Sequence, residues 1–374
     1  MRKDRSMRIL ITGASGFIGK NLVVRLRERV GIDISTFTRS DSVEILSELV
    51  AKADAIVHLA GENRPADVAD FAHVNTDLTI MLCKAICTTG SSKLLIFPSS
   101  IKAEYDNPYG QSKLAAELEV EAFARETGNS VVIYRLPGVF GKWCKPNYNS
   151  VVATFCYNTV HGLPIQVNDS ETVLQLVYID DLIDEFLRVL DNVQPGFVWG
   201  KIDNIYSIAL DKLAEQITEF RNCRTNLISE RVGTGLIRAL YSTYISYLQP
   251  EQFVYDLPKH GDERGVFVEM LKTLDSGQFS FFTIRSGVTR GSHYHHTMTE
   301  KFLVVSGTAR MRFRQIETGE TCELTVTAQK PQVVDTIPGW AHDITNIGDC
   351  EAVVMLWASE VFDSQKPDCI TCKV

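Results

Sequence analysis

A run of three evenly spaced glycines constrains the fold of this chain more than any other feature. In ITGASGFIGKNL, residues 11–22, Gly13, Gly16 and Gly19 separate an apolar strand-like run from a helix-like run. Small residues at this spacing let the backbone approach a pyrophosphate at a helix N-terminus, where unpaired N–H groups and the positive end of the dipole favour an anion. A tight turn without a ligand is the alternative, but the flanking strand and helix favour a dinucleotide cofactor. We therefore expect the cofactor to contact the loop residues Gly13, Ser15, Gly16, Phe17, Ile18 and Gly19.

The pattern of apolar residues divides the 374-residue chain into two parts. Up to about residue 136, short apolar runs such as MRILIT and AIVHLA alternate with longer amphipathic runs, which predicts a Rossmann-like α/β domain with a doubly wound parallel sheet. From about residue 250, short segments such as EKFLVVSG and AVVMLWAS follow one another without helical spacing, which predicts an all-β barrel or jelly roll. A chain of this length exceeds what one core usually organises. We expect domains at 1–245 and 246–374.

Composition and charge exclude several classes of function. The net charge is −8, and the sequence has no basic block or basic-aromatic stripe, which argues against a nucleic-acid partner. No run approaches the roughly twenty apolar residues that a membrane span needs, so we expect no membrane insertion. The nine cysteines are odd in number and mostly isolated in apolar contexts, which favours buried thiols in a reducing cytoplasm. The single CxxC pair, Cys369 and Cys372, has no second pair and is interpreted as incidental.

The end of the second predicted strand bears on the choice of cofactor. An acidic residue there would accept the 2′-hydroxyl of the adenine ribose, whereas an arginine would pair with a 2′-phosphate. Asp33 begins the ISTFT strand and is predicted to point away, while Arg39 ends it. This arrangement favours NADPH over NADH, with a solvated surface arginine as the alternative interpretation.

A tyrosine and a lysine in NPYGQSKLAAE form a candidate proton donor. Tyr109 and Lys113 are four residues apart in a helix-forming sequence and hence lie on one helical face. An ammonium beside a phenol lowers the pKa of the phenol from about 10 toward the working pH, which a general acid for a ketone needs. Upstream, IFPSS ends a predicted strand with Ser99 and Ser100, whose hydroxyls can bond a substrate oxygen. A surface pair on a helix is the alternative.

Six motifs in the first 240 or so residues occur together in a characteristic order: TGASGFIG, DAIVHLAG, PSS, PYGQSK, RLPGVFG and LVYIDDL. In this order and spacing they resemble an extended short-chain dehydrogenase/reductase, the superfamily that modifies nucleotide sugars. The resemblance implies a catalytic set of Ser100, Tyr109 and Lys113, with Ser99 as the neighbouring candidate. It also implies further cofactor contacts by His58, Leu59, Ala60, Gly61, Tyr109 and Lys113. IKAEYDNPYG departs from the family pattern, because it shortens the loop that normally shapes the sugar pocket.

Three histidines and a glutamate predict a metal site near the other end of the chain. His293 and His295 are one residue apart, so an extended strand directs both side chains to the same side. Glu300 follows across a short bend, and IPGWAHDITN supplies His342 after a Pro-Gly turn. Three imidazoles and a carboxylate from two strands make a divalent transition-metal site that can keep one coordination position open. We expect Zn²⁺.

The spacing around this cluster resembles the cupin signature, in which the motif residues here are Gly287, His293, His295, Glu300, Gly307 and His342. DERGVFVEM and GVTRGSHYH also resemble segments of the nucleotide-sugar 3,5-epimerases, metal-free cupins in which a histidine matching His293 is the base. Here His293 is expected to bind a metal, which can instead polarise a keto oxygen as a Lewis acid. His296 is predicted to lie on the opposite face, free for proton chemistry.

The whole chain, including GKWCKPNYNSVVATFC, resembles the bifunctional capsule and O-antigen enzymes that make UDP-2-acetamido-2,6-dideoxy-L-talose. The resemblance implies that the cupin domain inverts C3 of a UDP-4-keto-hexose and that the first domain then reduces C4 with NADPH. It implies a UDP-linked 4-keto-deoxysugar as substrate. Both parent families commonly dimerise, so we also expect a homodimer.

Three other functions stay open at the level of the sequence. The cupin domain can be a structural or regulatory sugar-binding module on a single-function reductase, in which case metal removal destabilises the protein without changing the product. The first domain can be a redox-sensing scaffold, although such members typically lack the Tyr and Lys present here. A cupin dioxygenase would need iron and would consume oxygen.

Overall fold

The computed structural model describes residues 6–65, 67–365 and 367–374. Its contacts separate the chain into two units, one formed by residues 6–217 with Ala239–Tyr247 and the other by Thr218–Arg238 with Leu248–Val374. Residues 218–238, which the sequence pattern places in the first domain, therefore group with the second unit. Across these ranges, no helix combines the length and the apolar character that crossing a membrane requires.

The first unit is built on a six-stranded sheet in which every neighbouring pair is parallel, with the order β2-β1-β3-β4-β5-β8. A smaller three-stranded sheet has the order β6-β7-β9. The strands are β1 (Met7–Thr12), β2 (Ile32–Phe37), β3 (Ala55–His58), β4 (Leu94–Ser100), β5 (Ser130–Leu136), β6 (Gly138–Phe140), β7 (Val173–Tyr178), β8 (Phe197–Trp199) and β9 (Tyr206–Ala209). The strand order reverses between β1 and β3, the point at which α/β sheets of this kind bind ligands.

Helices connect the strands of this sheet. In chain order the helices are α1 (Phe17–Arg27), α2 (Glu44–Lys52), α3 (Ala69–Phe71), α4 (Leu78–Thr88), α5 (Pro108–Thr127), α6 (Val151–Val160), α7 (Ile179–Asp191), α8 (Leu210–Asn226) and α9 (Gly235–Ile245). A π turn at Ala72–Asp77 joins α3 to α4, and a 3₁₀ turn at Ile101–Glu104 follows β4. The central strands are buried on both faces, which explains why they read as continuous apolar runs rather than as alternating ones.

The second unit consists of two sheets. One has the order β10-β12-β13-β20-β15-β18 with β11 added beside β12, and the other has the order β17-β16-β19-β14-β21. The strands are β10 (Ile228–Ser229), β11 (His260–Asp262), β12 (Gly265–Thr273), β13 (Gln278–Ile284), β14 (Thr289–Tyr294), β15 (Glu300–Ser306), β16 (Thr308–Gln315), β17 (Thr321–Thr327), β18 (Val333–Asp335), β19 (Trp340–Asn346), β20 (Ala352–Ala358) and β21 (Ile370–Thr371). A 3₁₀ turn at Pro250–Gln252 precedes them.

The two sheets of the second unit enclose one apolar core. Phe282, Phe302 and Val354 come from the first sheet, and Met311 and Ile344 come from the second. Alternate residues of β13 and β20 are buried, as a strand with one face on a core requires. The fold class predicted from the sequence, a doubly wound parallel sheet followed by an all-β unit, is confirmed.

Candidate functional site

The glycine loop lies between β1 and α1 and is shaped by close backbone contacts. Gly13 has a φ of +67°, and a Cβ atom there would lie 2.6 Å from the backbone nitrogen of Ala60. A Cβ atom on Gly19 would lie 2.5 Å from the carbonyl oxygen of Gly13. Gly16 is extended and precedes α1 without a side-chain cap, so the first N–H groups of the helix remain open toward the loop. These are the features that a pyrophosphate needs at a helix N-terminus.

A cavity of about 570 Å³ opens beside this loop. The predicted cofactor residues that line it are Gly13, Ser15, Gly16, Arg39, Leu59, Ala60 and Gly61. Other predicted cofactor residues lie outside its lining, namely Phe17, Ile18, Gly19, Tyr109 and Lys113. Gly19 instead lets α1 pack against the loop. The π turn and α4 supply an apolar part of the lining through Val74, Leu78 and Met81, which the sequence pattern did not predict. A cavity of this size at the switch point can hold an extended dinucleotide.

Arg39 follows β2 by two residues and is held by a carboxylate from the next loop. Its Nη2 lies 2.8 Å from Oε2 of Glu62. The hydroxyl of Tyr148 donates to the other carboxylate oxygen of Glu62, Oε1, at 2.8 Å. Burial alone would raise the pKa of Glu62, but its hydrogen bonds, the one from Arg39 first, lower it to about 2. Asp33 lies at the start of β2, where it accepts a hydrogen bond from Ser6. The predicted placement of Asp33 and Arg39 thus matches the structure, but Arg39 already has an anionic partner.

His58 is a fully buried, neutral imidazole within a hydrogen-bond chain. The hydroxyl of Thr79 donates to the carbonyl of Asn75, so it accepts from Nε2 of His58 at 3.0 Å. Nδ1 of His58 therefore accepts from the hydroxyl of Thr12 at 2.6 Å. Burial, with a smaller contribution from Lys113, lowers the pKa of His58 to about 3. His58 does not line the cavity; its role is to tie β1, β3 and α4 together beneath it.

The predicted catalytic residues lie at the carboxyl end of β4 and at the start of α5. The hydroxyl of Ser100 lies next to the phenol of Tyr109 and acts to lower the pKa of that phenol. Ser99, the neighbouring candidate, has a buried hydroxyl without a hydrogen-bond partner among the described residues. The 3₁₀ turn after β4 packs closely on α5 at Gly110, where a Cβ atom would lie 2.4 Å from the carbonyl oxygen of Lys102 and 2.2 Å from that of Tyr105.

The pKa of the phenol differs from the expectation. The sequence pattern predicts that Lys113 lowers the pKa of Tyr109, but burial raises it, and the Ser100 hydroxyl offsets this only in part. Lys113 is buried, and burial lowers its pKa to about 8. A Cβ atom on Gly61 would lie 3.1 Å from Nζ of Lys113. The ammonium therefore packs against the loop that follows β3, here called the cofactor loop, and does not set the pKa of the Tyr109 phenol.

Asn75 links the cofactor loop to the helix that carries Tyr109 and Lys113. Its Oδ1 accepts from the backbone N–H of Glu62 at 2.8 Å, and its Nδ2 donates to the carbonyl of Glu62 and to the hydroxyl of Ser112, both at 3.0 Å. It lies in the π turn, a distortion that is frequent at functional sites. No local pattern marks Asn75 or Glu62, because their partners lie 13 to 86 residues away.

The four predicted metal ligands form one cluster in the second unit. The candidate ligand atoms of His293, His295, Glu300 and His342 all lie within 4.8 Å of one another. Oε2 of Glu300 lies 3.2 Å from Nε2 of both His295 and His342. Burial, aided by His342, lowers the pKa of His293 to about 4, and the neighbouring imidazoles overcome burial to lower that of Glu300 to about 2.

This cluster fits a divalent metal ion. It presents three imidazoles and a carboxylate, the ligand types that bind divalent transition metals, and the lowered pKa values of His293 and Glu300 leave both in the forms that coordinate a metal at neutral pH. The ring nitrogens of His342 are buried without a hydrogen-bond partner among the described residues, which leaves donor atoms for an ion to satisfy.

His296 is exposed, and its ring contacts Tyr294 outside the cluster. Cys372 accepts a hydrogen bond from Arg314.

An arginine on the same strand was missed from the sequence. Arg290 pairs in register with Ile344, and His293 with His342, so both side chains belong to the inner face of the sheet. Only 14% of the Arg290 side chain is exposed, and its Nε and Nη2 have no hydrogen-bond partner within the described chain. It packs over Phe282, and its nearest carboxylate, Asp262, is 3.7 Å away. A buried guanidinium with unused donors can accept an anionic ligand.

Comparison with known proteins agrees with both parts of the chain. Residues 9–208 match the NAD dependent epimerase/dehydratase family, and residues 260–370 match the polysaccharide biosynthesis C-terminal domain. The chain is 52% identical to UDP-2-acetamido-2,6-beta-L-arabino-hexul-4-ose reductase of Pseudomonas aeruginosa, over 98% of this chain and 99% of that protein.

The chain also resembles proteins of known structure. The capsular polysaccharide assembling protein CapF from Staphylococcus aureus superimposes with a TM-score of 0.91 at 40% identity, covering 98% of this chain and 100% of that one. The Bordetella bronchiseptica enzyme WbmF, solved in complex with NAD⁺, shares the fold of the first unit with a TM-score of 0.56 at 18% identity, over 65% of this chain and 93% of that one. The chain therefore belongs to the NAD dependent epimerase/dehydratase family, and within it to the CapF-like proteins that carry a polysaccharide biosynthesis C-terminal domain.

Proposed function

We propose that this chain is a bifunctional nucleotide-sugar enzyme whose first unit reduces the C4 ketone of a UDP-linked 4-keto-deoxysugar with NADPH. The observation that carries the proposal is that Ser100 at the end of β4 and Tyr109 at the start of α5 lie together in a unit whose sheet has a dinucleotide-sized cavity at its switch point. The name of the Pseudomonas relative, a hexul-4-ose reductase, supports the same substrate class. The catalytic set is Ser100, Tyr109 and Lys113.

Each residue of this set has a separate task. NADPH, when bound, supplies the hydride for C4. Ser100 orients the C4 oxygen, and Tyr109 donates its phenolic proton to that oxygen as negative charge develops there, after which solvent reprotonates the phenolate. Lys113, with a pKa of about 8, is mostly protonated at neutral pH and holds its ammonium against the cofactor loop at Gly61.

The second unit is proposed to epimerise C3 of the same sugar before reduction, which leads to UDP-2-acetamido-2,6-dideoxy-L-talose for capsule or O-antigen synthesis. A bound divalent metal, proposed as Zn²⁺, would polarise the C4 keto oxygen and so acidify the C3–H bond. His293, His295, Glu300 and His342 would hold it. Arg290, whose donors are buried and unused, supports a diphosphate-linked ligand on the same inner face.

Product configuration tests both activities at once. The chain is mixed with NADPH and UDP-2-acetamido-2,6-dideoxy-L-arabino-hexul-4-ose, and the product is identified by NMR. We expect oxidation of NADPH and an L-talo product, inverted at C3. NADPH oxidation with C3 retained would leave a single-function reductase with a structural or regulatory second unit. No oxidation of NADPH would contradict the reductase itself.

We also propose a homodimer in the cytoplasm. Apolar side chains on the outward face of β13 and β20, among them Phe279, Phe281, Val353 and Met355, line a hollow of about 310 Å³. Exposed apolar surface of this kind supports association. Light scattering on the purified chain distinguishes a dimer from a monomer.

A further inference from the structure

The carboxylate of Asp368, near the C-terminus, is bound by the loop between two metal-ligand strands. Its Oδ1 accepts from the backbone N–H of His296 at 2.8 Å. Its Oδ2 accepts from the N–H groups of Thr297 and Met298 and from the Thr297 hydroxyl, at 2.8, 2.9 and 3.0 Å. Three consecutive N–H groups thus converge on one side chain. This loop connects β14 to β15 and so sets the distance between the ligands on either side of it.

The carbonyl oxygen of Asp368 contacts a metal ligand directly. It accepts a hydrogen bond from Nδ1 of His295. Because Nδ1 then carries the proton, the lone pair of the imidazole is on Nε2, the atom that lies 3.2 Å from Glu300. In that tautomer Nε2 would be the atom that holds the metal. Outer hydrogen bonds of this kind usually select the tautomer of a metal-bound histidine.

The segment that carries Asp368 is anchored to the metal-binding strand. Thr371 pairs in antiparallel register with His293, and the N–H of Cys372 donates to the carbonyl of Ser292 at 2.9 Å. Arg314 donates from Nη2 and Nε to the carbonyl of Lys373 at 2.5 and 3.2 Å. Residues 368–374, here called the C-terminal clasp, are thus held along β14 by their backbone.

We propose that Asp368 is a positioning residue of the metal centre and that the C-terminal clasp sets its metal affinity. The backbone carbonyl of Asp368 bonds Nδ1 of His295, and its side chain holds the loop that spaces His295 from Glu300. Substitution of the side chain tests the second of these contacts and leaves the first in place. The inference rests on the metal site of the proposed function and adds a residue that lies outside the ligand set. A clasp with a purely structural role is the competing explanation.

Metal affinity separates these explanations. In Asp368→Ala the loop loses its acceptor for three N–H groups, while in Asp368→Asn one acceptor oxygen remains. The matched control is Asp363→Ala, an exposed carboxylate whose contact is the N–H of Gln365. Each full-length variant is stripped of metal, and its Zn²⁺ affinity is measured by competition with a chromogenic chelator. The visible spectrum of the Co²⁺-loaded protein reports ligand geometry, and melting of the metal-free protein reports folding.

We expect Asp368→Ala to weaken Zn²⁺ binding by roughly 10- to 100-fold and to change the Co²⁺ spectrum, with Asp368→Asn intermediate and Asp363→Ala unchanged. Such a loss with the metal-free melting temperature close to that of Asp363→Ala supports the proposal. Wild-type affinity and spectrum in Asp368→Ala would overturn it and leave the metal centre standing. A lower metal-free melting temperature with unchanged affinity would also overturn it, in favour of a structural clasp. Absence of Zn²⁺ and Co²⁺ binding by the wild-type chain would overturn the metal centre and this inference together.

Discussion

Nη2 of Arg39 lies 2.8 Å from Oε2 of Glu62, across the edge of the cofactor cavity. Arg39 is the residue proposed to pair with the 2′-phosphate of NADPH, so the phosphate must compete with a carboxylate for the same guanidinium. The Arg39 side chain is 79% exposed, which leaves room for a second anion to approach.

Cofactor choice is therefore expected to depend on this pair. Arg39→Ala should weaken NADPH binding by about tenfold or more, the range of one charge-assisted hydrogen bond, and leave NADH binding nearly unchanged. Glu62→Gln should shift the preference further toward NADPH, because the guanidinium is then less occupied. Titration of nicotinamide fluorescence measures both, with Arg27→Ala at the far end of α1 as the control. Equal losses for NADPH and NADH in Arg39→Ala would exclude a role in choosing between them.

Gly19 should be sensitive to the smallest possible substitution. In Gly19→Ala the new Cβ would meet the backbone of Gly13 and Ala14 at 2.5 to 2.7 Å, so α1 must move away from the glycine loop. We expect a loss of about 2 kcal/mol or more in the free energy of unfolding, together with weaker cofactor binding. Gly233→Ala is the control, because no atom lies within 4 Å of its Cβ position. Denaturant unfolding measures the difference, and similar effects of the two substitutions would contradict the close packing.

Tyr109 is expected to supply the proton. Tyr109→Phe keeps the ring and removes the hydroxyl next to Ser100, so kcat for NADPH oxidation should fall by roughly 100-fold or more while NADPH still binds. Tyr105→Phe removes a hydroxyl from a ring that is 55% exposed, and it should leave kcat unchanged. Turnover near wild type in Tyr109→Phe would rule out the assignment.

The buried ammonium of Lys113 should make stability depend on pH. Its folded-state pKa of about 8 lies below the unfolded value near 10.4, so between these values the unfolded chain binds more protons. Stability of the wild type relative to Lys113→Met should therefore rise between pH 8 and pH 10, by on the order of 2 kcal/mol. Denaturant unfolding of both proteins across this range measures it. A constant difference would mean that the amine is solvated.

The sequence predicted those parts of the molecule that depend on local spacing. The glycine loop, Tyr109 four residues before Lys113 and the His293–His295–Glu300 series follow from strand and helix periodicity. Asn75 and Asp368 did not, because their partners lie up to 37 and 73 residues away and only the fold brings them together. The grouping of residues 218–238 with the second unit was not predicted for the same reason, because Ile228 pairs with Lys272 and a pairing between residues this far apart leaves no local pattern. The raised pKa of Tyr109 reflects burial, which spacing does not report.

One ketone is proposed to serve both units, and isotope exchange at C3 tests this most directly. The UDP-4-keto sugar is incubated in deuterated water without NADPH, and the C3 proton is followed by NMR with the wild type, Tyr109→Phe and His295→Ala. We predict exchange by the wild type and by Tyr109→Phe, and no exchange by His295→Ala. Exchange by His295→Ala at the wild-type rate, or none by the wild type, would contradict an epimerase in the second unit.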